Sequence, residues 1–167
     1  MTAVLGFSSI HRSSIQFSAS CLTDTRRLGR MLARLLKPAD VVCFHGPLGA
    51  GKSELCRAII RQYAGNQHLE VPSPSYTLVN VYEETGIPIW HADLYRIGDE
   101  SELIELGLYD ALDVAIVLIE WPDRWADLPA RRLEIDIQPF GDDARAITLT
   151  SYGAGWEDLM ERVGTLT

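Results

Sequence analysis

Residues Gly46-Pro47-Leu48-Gly49-Ala50-Gly51-Lys52-Ser53 fit the spacing G-x-x-x-x-G-K-[ST], directly after an apolar run and directly before an amphipathic one. A loop of this kind turns successive backbone N–H groups towards one point, and the helix that follows adds the positive end of its dipole. The product is a cradle for phosphate. Gly46, Gly49 and Gly51 allow backbone turns that side chains resist, Lys52 can bridge the β- and γ-phosphates of a nucleotide, and the Ser53 hydroxyl can ligate Mg²⁺.

Hydrolysis of such a nucleotide needs carboxylates. Val114 to Ile119 is a continuous apolar run ending in Glu120, so Glu120 is predicted at the carboxyl end of a buried strand, where it can complete a metal site begun by Ser53. Asp93, in His91-Ala92-Asp93-Leu94-Tyr95-Arg96, is a second strand-borne acid able to orient an attacking water, accept its proton, or join the outer shell of the metal. His91 has no Cys/His cluster around it in sequence and is read as support. Arg96 fits a phosphate contact and a pair with Asp99 or Glu100 equally well. Ser73, Ser75 and Thr77 lie in a stiff loop with two prolines, suited either to sensing a γ-phosphate or to a structural turn. Trp121 and Trp125 can cover a nucleotide edge or a partner patch, or pack in the core.

The elements that must hold these groups follow from periodicity. Ile15 to Ser18 alternates as a short strand, and Leu28, Met31, Leu32, Leu35 and Leu36 mark one face of a helix starting near Thr23 or Asp24. The other side of that helix carries Arg26, Arg27, Arg30, Arg34 and Lys37, read as a solvated face with an acidic partner or RNA as the alternative. Val41 to Phe44 is apolar throughout and predicts a central strand. A helix from Lys52 follows, stopped at Gly65-Asn66. Leu78 to Glu84 and Ile87 to Tyr95 predict a hairpin turning around Thr85-Gly86. Asp99 can cap a short acidic helix that Gly107 stops. Arg132 to Gln138 and Ala146 to Thr150 predict a late antiparallel pair, and Trp156, Leu159, Met160 and Val163 a last helix face.

The pattern predicts an α/β fold, a three-layer sandwich of the P-loop NTPase kind: a mixed, mostly parallel central sheet with antiparallel strands and flanking helices. One domain over residues 1–167 is expected, with 1–14 as a loose arm. A net charge of -8 argues against the chain gripping nucleic acid alone. No apolar run reaches membrane-spanning length. Three cysteines, Cys21, Cys43 and Cys56, lack metal-ligand spacing and suit a reducing cytoplasm.

Taken together, GPLGAGKSEL, VPSPSYTLVNVY, IWHADLYRI and VLIEWPDR resemble, in order and spacing, the TsaE (YjeE) family, small ATPases of bacterial tRNA threonylcarbamoyladenosine biosynthesis. The resemblance runs from about the Thr23 helix to the late strands. It implies ATP and Mg²⁺ as cofactors, nucleotide contacts from Gly46 and from Gly49, Ala50, Gly51, Lys52, Ser53 and Glu54, and metal ligation by Ser53 and Glu120. Catalytic parts fall to Lys52, Asp93 and Glu120, and Thr25 stands near the base. It also implies TsaB and TsaD as partners: TsaD moves threonylcarbamoyl onto N6 of adenosine 37 in tRNAs reading codons that begin with A, while a chain of this kind turns over ATP, weakly when alone, and meets tRNA only through the complex. Pro47 departs from the aspartate usual there, removing one N–H and one acid, and Ser53 and Ser75 stand where threonine is commoner. Two further functions fit a phosphate loop in a chain of this size: a small-molecule kinase, for which Arg124, Arg131 and Arg132 are scattered rather than grouped in a lid, and a nucleotide-dependent binding module without significant hydrolysis.

Overall fold

The computed structural model describes residues 11–84 and 86–166. Seven strands form one sheet in the order β1-β7-β6-β2-β5-β4-β3, with β1 at Arg12–Ala19, β2 at Val41–His45, β3 at Val79–Tyr82, β4 at Ile89–Asp93, β5 at Ile116–Glu120, β6 at Arg132–Phe140 and β7 at Ala144–Tyr152. The centre, β6-β2-β5-β4, is parallel; β7 and β3 join it antiparallel, and β1 pairs antiparallel with β7 at the edge. This is the mixed sheet expected, with β2 in its middle.

Side chains on a strand alternate between faces, and β2 and β5 are apolar on both. Val42, Phe44, Ile116 and Leu118 point to one face, where they pack with Leu28, Leu32, Leu55 and Ile59 from α1 (Leu22–Leu35) and α2 (Lys52–Tyr63) and with Leu159 and Val163 from α5 (Glu157–Gly164). Val41, Cys43, Val117 and Ile119 point to the other, against Leu103, Leu108 and Ala111 of α3 (Ser101–Glu105) and α4 (Leu108–Ala111). Continuing the alternation puts Glu120 on the α2 face with Ile116 and Leu118, and puts His91 and Asp93 there with Ile89. The strand period therefore brings three polar side chains to the edge of the sheet where α2 begins.

Several boundaries moved. Arg12, Ser13 and Ser14, assigned to the loose arm, belong to β1, because β7 is long enough to pair with them at Tyr152, Ser151 and Thr150. Backbone pairing needs no apolar pattern, so their polarity hid them. Residues 1–10 of that arm and Thr85 of the β3–β4 hairpin lie outside the described residues. Val114 is exposed, and β5 starts at Ile116. The acidic segment is two short helices, separated at Gly107, whose φ of 75° breaks the helical path. Asp99 is expected to cap this segment, but the first helix has Glu100 at its N-cap with no side-chain cap; Asp99 sits one residue earlier, its Oδ1 accepting the Ser101 N–H at 2.8 Å in the turn that leads in. Trp125 resolves to core packing, 2% exposed beneath α4. Among the described residues no helix is long and apolar enough to cross a membrane.

All three cysteines are free thiols: Cys21 is exposed, whereas Cys43 and Cys56 are buried. Burial pushes the Cys43 thiol up to about 12 and the Cys56 thiol well above its ordinary value, with nearby carboxylates adding to both. A thiol-exchange titration at pH 8 is expected to count one fast-reacting cysteine in the native chain and all three in denaturant. Two fast thiols in the native chain would contradict this packing.

Candidate active site

The chain leaves β2 at His45 and enters the loop through Gly46, whose φ is 135°. A Cβ there would stand 2.4 Å from the Ile137 carbonyl oxygen on β6, so only glycine fits. Gly51, with φ 111°, turns the backbone into α2. Between them Ala50 is buried, and its carbonyl accepts a 2.8 Å hydrogen bond from Arg145 Nε on β7. Pro47 lacks an N–H, but its carbonyl is in use. It accepts the Ala50 N–H at 3.1 Å and Lys52 Nζ at 2.9 Å, while Gly46 O accepts Lys52 Nζ at 2.7 Å. The loop thus folds its own lysine across its mouth.

Lys52 is 5% exposed and sits 4.0 Å from the centre of the Trp121 ring. Trp121 follows β5 in a left-handed conformation, φ 58°, and is flanked by Tyr95 at 4.8 Å between ring centres. Burial lowers the pKa of Lys52, and the charges of Glu120 and Asp93 act against that shift.

Glu120 is the last residue of β5 and 2% exposed. Its Oε2 accepts the Ser53 hydroxyl at 2.9 Å, and its Oε1 lies 2.8 Å from His91 Nε2. His91 is fully buried on β4, and its Nδ1 has no partner among the described residues. His91 therefore supports the Glu120 carboxylate from behind. Cys56, one turn after Ser53, places its sulfur within 4.8 Å of the ligand atoms of His91 and Glu120. The Ser53 and Glu120 oxygens form a hard donor pair at the mouth of a phosphate-type loop, a set that fits Mg²⁺.

Asp93 lies opposite Glu120 in the β4–β5 register. Its Oδ1 accepts the Tyr95 N–H at 3.0 Å and its Oδ2 the Ser75 hydroxyl at 3.3 Å, and Ser75 lies 2.8 Å from Ser73. The proline-rich loop therefore reaches Asp93 through a chain of hydroxyls. Thr77 turns instead to Asn80 Oδ1 at 2.7 Å. Arg96 makes a third choice, standing over the Tyr76 ring at 5.5 Å.

Gly49, Gly51, Lys52, Ser53, Glu54, Asp93 and Glu120 all line one cleft of about 220 Å³, together with Ser73, Ser75 and Trp121. Gly46 and Ala50 shape its loop from behind. Thr25, buried on α1, is not among the lining residues. A larger cavity of about 430 Å³ between β1 and α5 contains none of these groups, so chemistry rather than size marks the site. Arg145, and Tyr95 as the partner of Trp121, had no sequence signal. Arg145 is 95 residues from the carbonyl it holds, and the Tyr95–Trp121 contact joins the ends of two strands.

The family model described as "Threonylcarbamoyl adenosine biosynthesis protein TsaE" matches residues 19–147, which include the loop, Asp93 and Glu120. Proteins named "tRNA threonylcarbamoyladenosine biosynthesis protein TsaE" are similar: that of Bacillus subtilis (strain 168) is 35% identical over 142 residues, covering 84% of this chain and 87% of its own. That of Rickettsia bellii (strain RML369-C) is 34% identical over 129 residues, 77% of this chain and 89% of its own. Against that of Rickettsia felis (strain ATCC VR-1525 / URRWXCal2), 40% identical over 100 residues, the match spans 58% of the relative's length. The crystal structure of Bacillus subtilis YdiB superposes with a TM-score of 0.77 at 27% identity, over 93% of this chain and 97% of that one. With one family model matching residues 19–147 and two relatives above 30% identity matched over 87% and 89% of their own length, the chain belongs to the TsaE family.

Proposed function

We propose that this chain is a Mg²⁺-dependent ATPase serving threonylcarbamoyladenosine formation at adenosine 37 of tRNA, acting with TsaB and TsaD and not transferring the group itself. The observation that carries the ATPase reading is the Ser53 to Glu120 contact at 2.9 Å beside Lys52, the two halves of a metal site at the mouth of a phosphate loop. The family and the names of its members support the pathway.

In this reading the loop N–H groups and the start of α2 hold the phosphates, and Lys52 moves from the Gly46 and Pro47 carbonyls to the phosphate oxygens. Ser53 and Glu120 would hold Mg²⁺, which when bound neutralises charge on the phosphates. His91 keeps the Glu120 carboxylate turned towards Ser53. Asp93, fixed by the Tyr95 N–H and the Ser75 hydroxyl, orients the attacking water or takes its proton. Two of the three arginines weighed for a kinase lid are engaged elsewhere, Arg131 with Asp40 at 2.7 Å and Arg132 with Glu134 at 2.7 Å, which leaves Arg124 alone and no group of arginines.

With purified TsaB and TsaD present, Lys52→Ala and Glu120→Ala are each expected to lower ATP turnover by about 10²-fold or more and to abolish tRNA modification. Phosphate release and nucleoside analysis read the two effects, and unchanged values in both would defeat the site assignment. Phosphate appearing on a small acceptor would favour a kinase, and full tRNA modification without turnover a binding module. Because Lys52 leaves the Trp121 ring when phosphate binds, ATP with Mg²⁺ is expected to change tryptophan emission saturably in the native chain. Trp121→Phe should lose that change, though three tryptophans remain of the four.

A further inference from the structure

Helices α1 and α2 touch at a point where both carry small residues. A Cβ on Gly29 would stand 2.7 Å from the Ala58 Cβ, so the two backbones are as close as glycine allows. That approach brings the basic side of α1 against a basic side of α2. Arg26 and Arg30 of α1 and Arg57 and Arg61 of α2 line a cavity of about 230 Å³, with Glu54 as its carboxylate.

The internal pairing shows both what this pocket binds and what it lacks. Glu54 Oε1 accepts from Arg26 Nε at 2.8 Å, and Oε2 accepts from Arg57. Burial pushes the Glu54 carboxyl up, but the hydrogen bond from Arg26 and the charge of Arg57 outweigh it and hold the group below its usual range. Two guanidinium planes are set by backbone: Arg57 Nε donates to Val71 O at 3.0 Å and Arg61 Nε to Leu69 O at 2.8 Å. Arg61 has no ion-pair partner among the described residues, and Arg30 has neither an ion pair nor a hydrogen-bond acceptor there. Four guanidiniums thus line a pocket with one carboxylate, which only Arg26 and Arg57 reach, on a chain whose net charge is -8. Facing like charges are unfavourable unless an anion spans them.

From this arrangement we infer that the pocket is a docking site for an acidic segment of a partner protein, whose carboxylates enter between Arg30 and Arg61 and compete with Glu54 for Arg26 and Arg57. Guanidinium forks match carboxylates in pairs, as the Glu54 clamp already shows. A nucleic-acid backbone is the poorer fit, since it calls for cations along an extended track and meets a chain of net negative charge. Glu54 directly follows Ser53 and lines the nucleotide cleft, so an incoming carboxylate that displaces it alters the cleft wall. Docking and nucleotide binding are then coupled, each changing the other's affinity by one factor.

The inference rests on the reading that the chain works in a complex, and the test separates the two. Binding of the full chain to the purified TsaB–TsaD complex is measured by calorimetry at low and high salt, for the native chain, Arg30→Ala, and the double variant Arg30→Glu with Arg61→Glu. ATP affinity and thermal melting are followed on the same samples. The double variant is expected to bind the complex at least tenfold more weakly and Arg30→Ala severalfold more weakly, both with native melting, and the native affinity should fall as salt rises. Equal binding by native and double variant would overturn the inference and leave the proposed function standing, whereas a native chain that does not bind the complex would overturn both. If the double variant melts early, Arg30→Ala decides. Salt-sensitive binding of a single-stranded RNA oligomer that the variants lose, with partner binding retained, would assign the pocket to RNA and overturn the inference as well.

Discussion

The arrangement of the site depends on one buried anion. Glu120 is almost inaccessible at the end of a central strand, and a carboxylate there without partners would be unfavourable by several kcal/mol. The chain meets that requirement twice, with the Ser53 hydroxyl on one oxygen and His91 on the other. Each partner ties a different element to β5. Ser53 anchors the first turn of α2, His91 aligns β4, and the parallel register then places Asp93 beside Glu120. Because β2, β5 and β4 are parallel, their carboxyl ends share one edge of the sheet, where open α/β sheets place their ligands.

The loop opposite is held ready by contacts that a bound phosphate would replace. Lys52 rests on two loop carbonyls and the Trp121 face, all of which can be given up for phosphate oxygens. The scaffold behind it does not have that freedom. Arg145 holds Ala50 from β7, and the Ile137 carbonyl presses against Gly46 from β6. The antiparallel wing of the sheet therefore stiffens a loop that the parallel centre places. Pro47 fits this division, because the part of the residue in use is its carbonyl.

A second charge-driven feature sits on the same face. The chain is acidic overall, yet four of its arginines meet where α1 packs on α2, and Glu54 belongs both to that cluster and to the wall of the cleft. An acidic chain with a local basic pocket repels nucleic acid in general while keeping a specific hold for an anion. One side chain shared between the two places gives a short physical route between them.

The amino-acid sequence by itself determined what is local. The loop pattern, the helices around Leu28 and Leu55, the apolar runs Val41 to Phe44 and Val114 to Ile119, and the period that sets His91 and Asp93 on the same side of their own strand all follow from residue type and spacing. Tertiary structure alone decided which elements became neighbours. Nothing within β4 or β5 states that they pair: the residue types set Ser53 and Glu120 together by role, but the direct bond between them across 67 residues, and that from His91 across 29, belong to the packed chain. The same holds for Arg12 to Ser14, made a strand by β7, for the division of Trp121 into the cleft and Trp125 into the core, and for the arginines that face each other only because Gly29 lets α1 approach Ala58. Periodicity reports the face a residue occupies, and only the packed chain reports what that face meets.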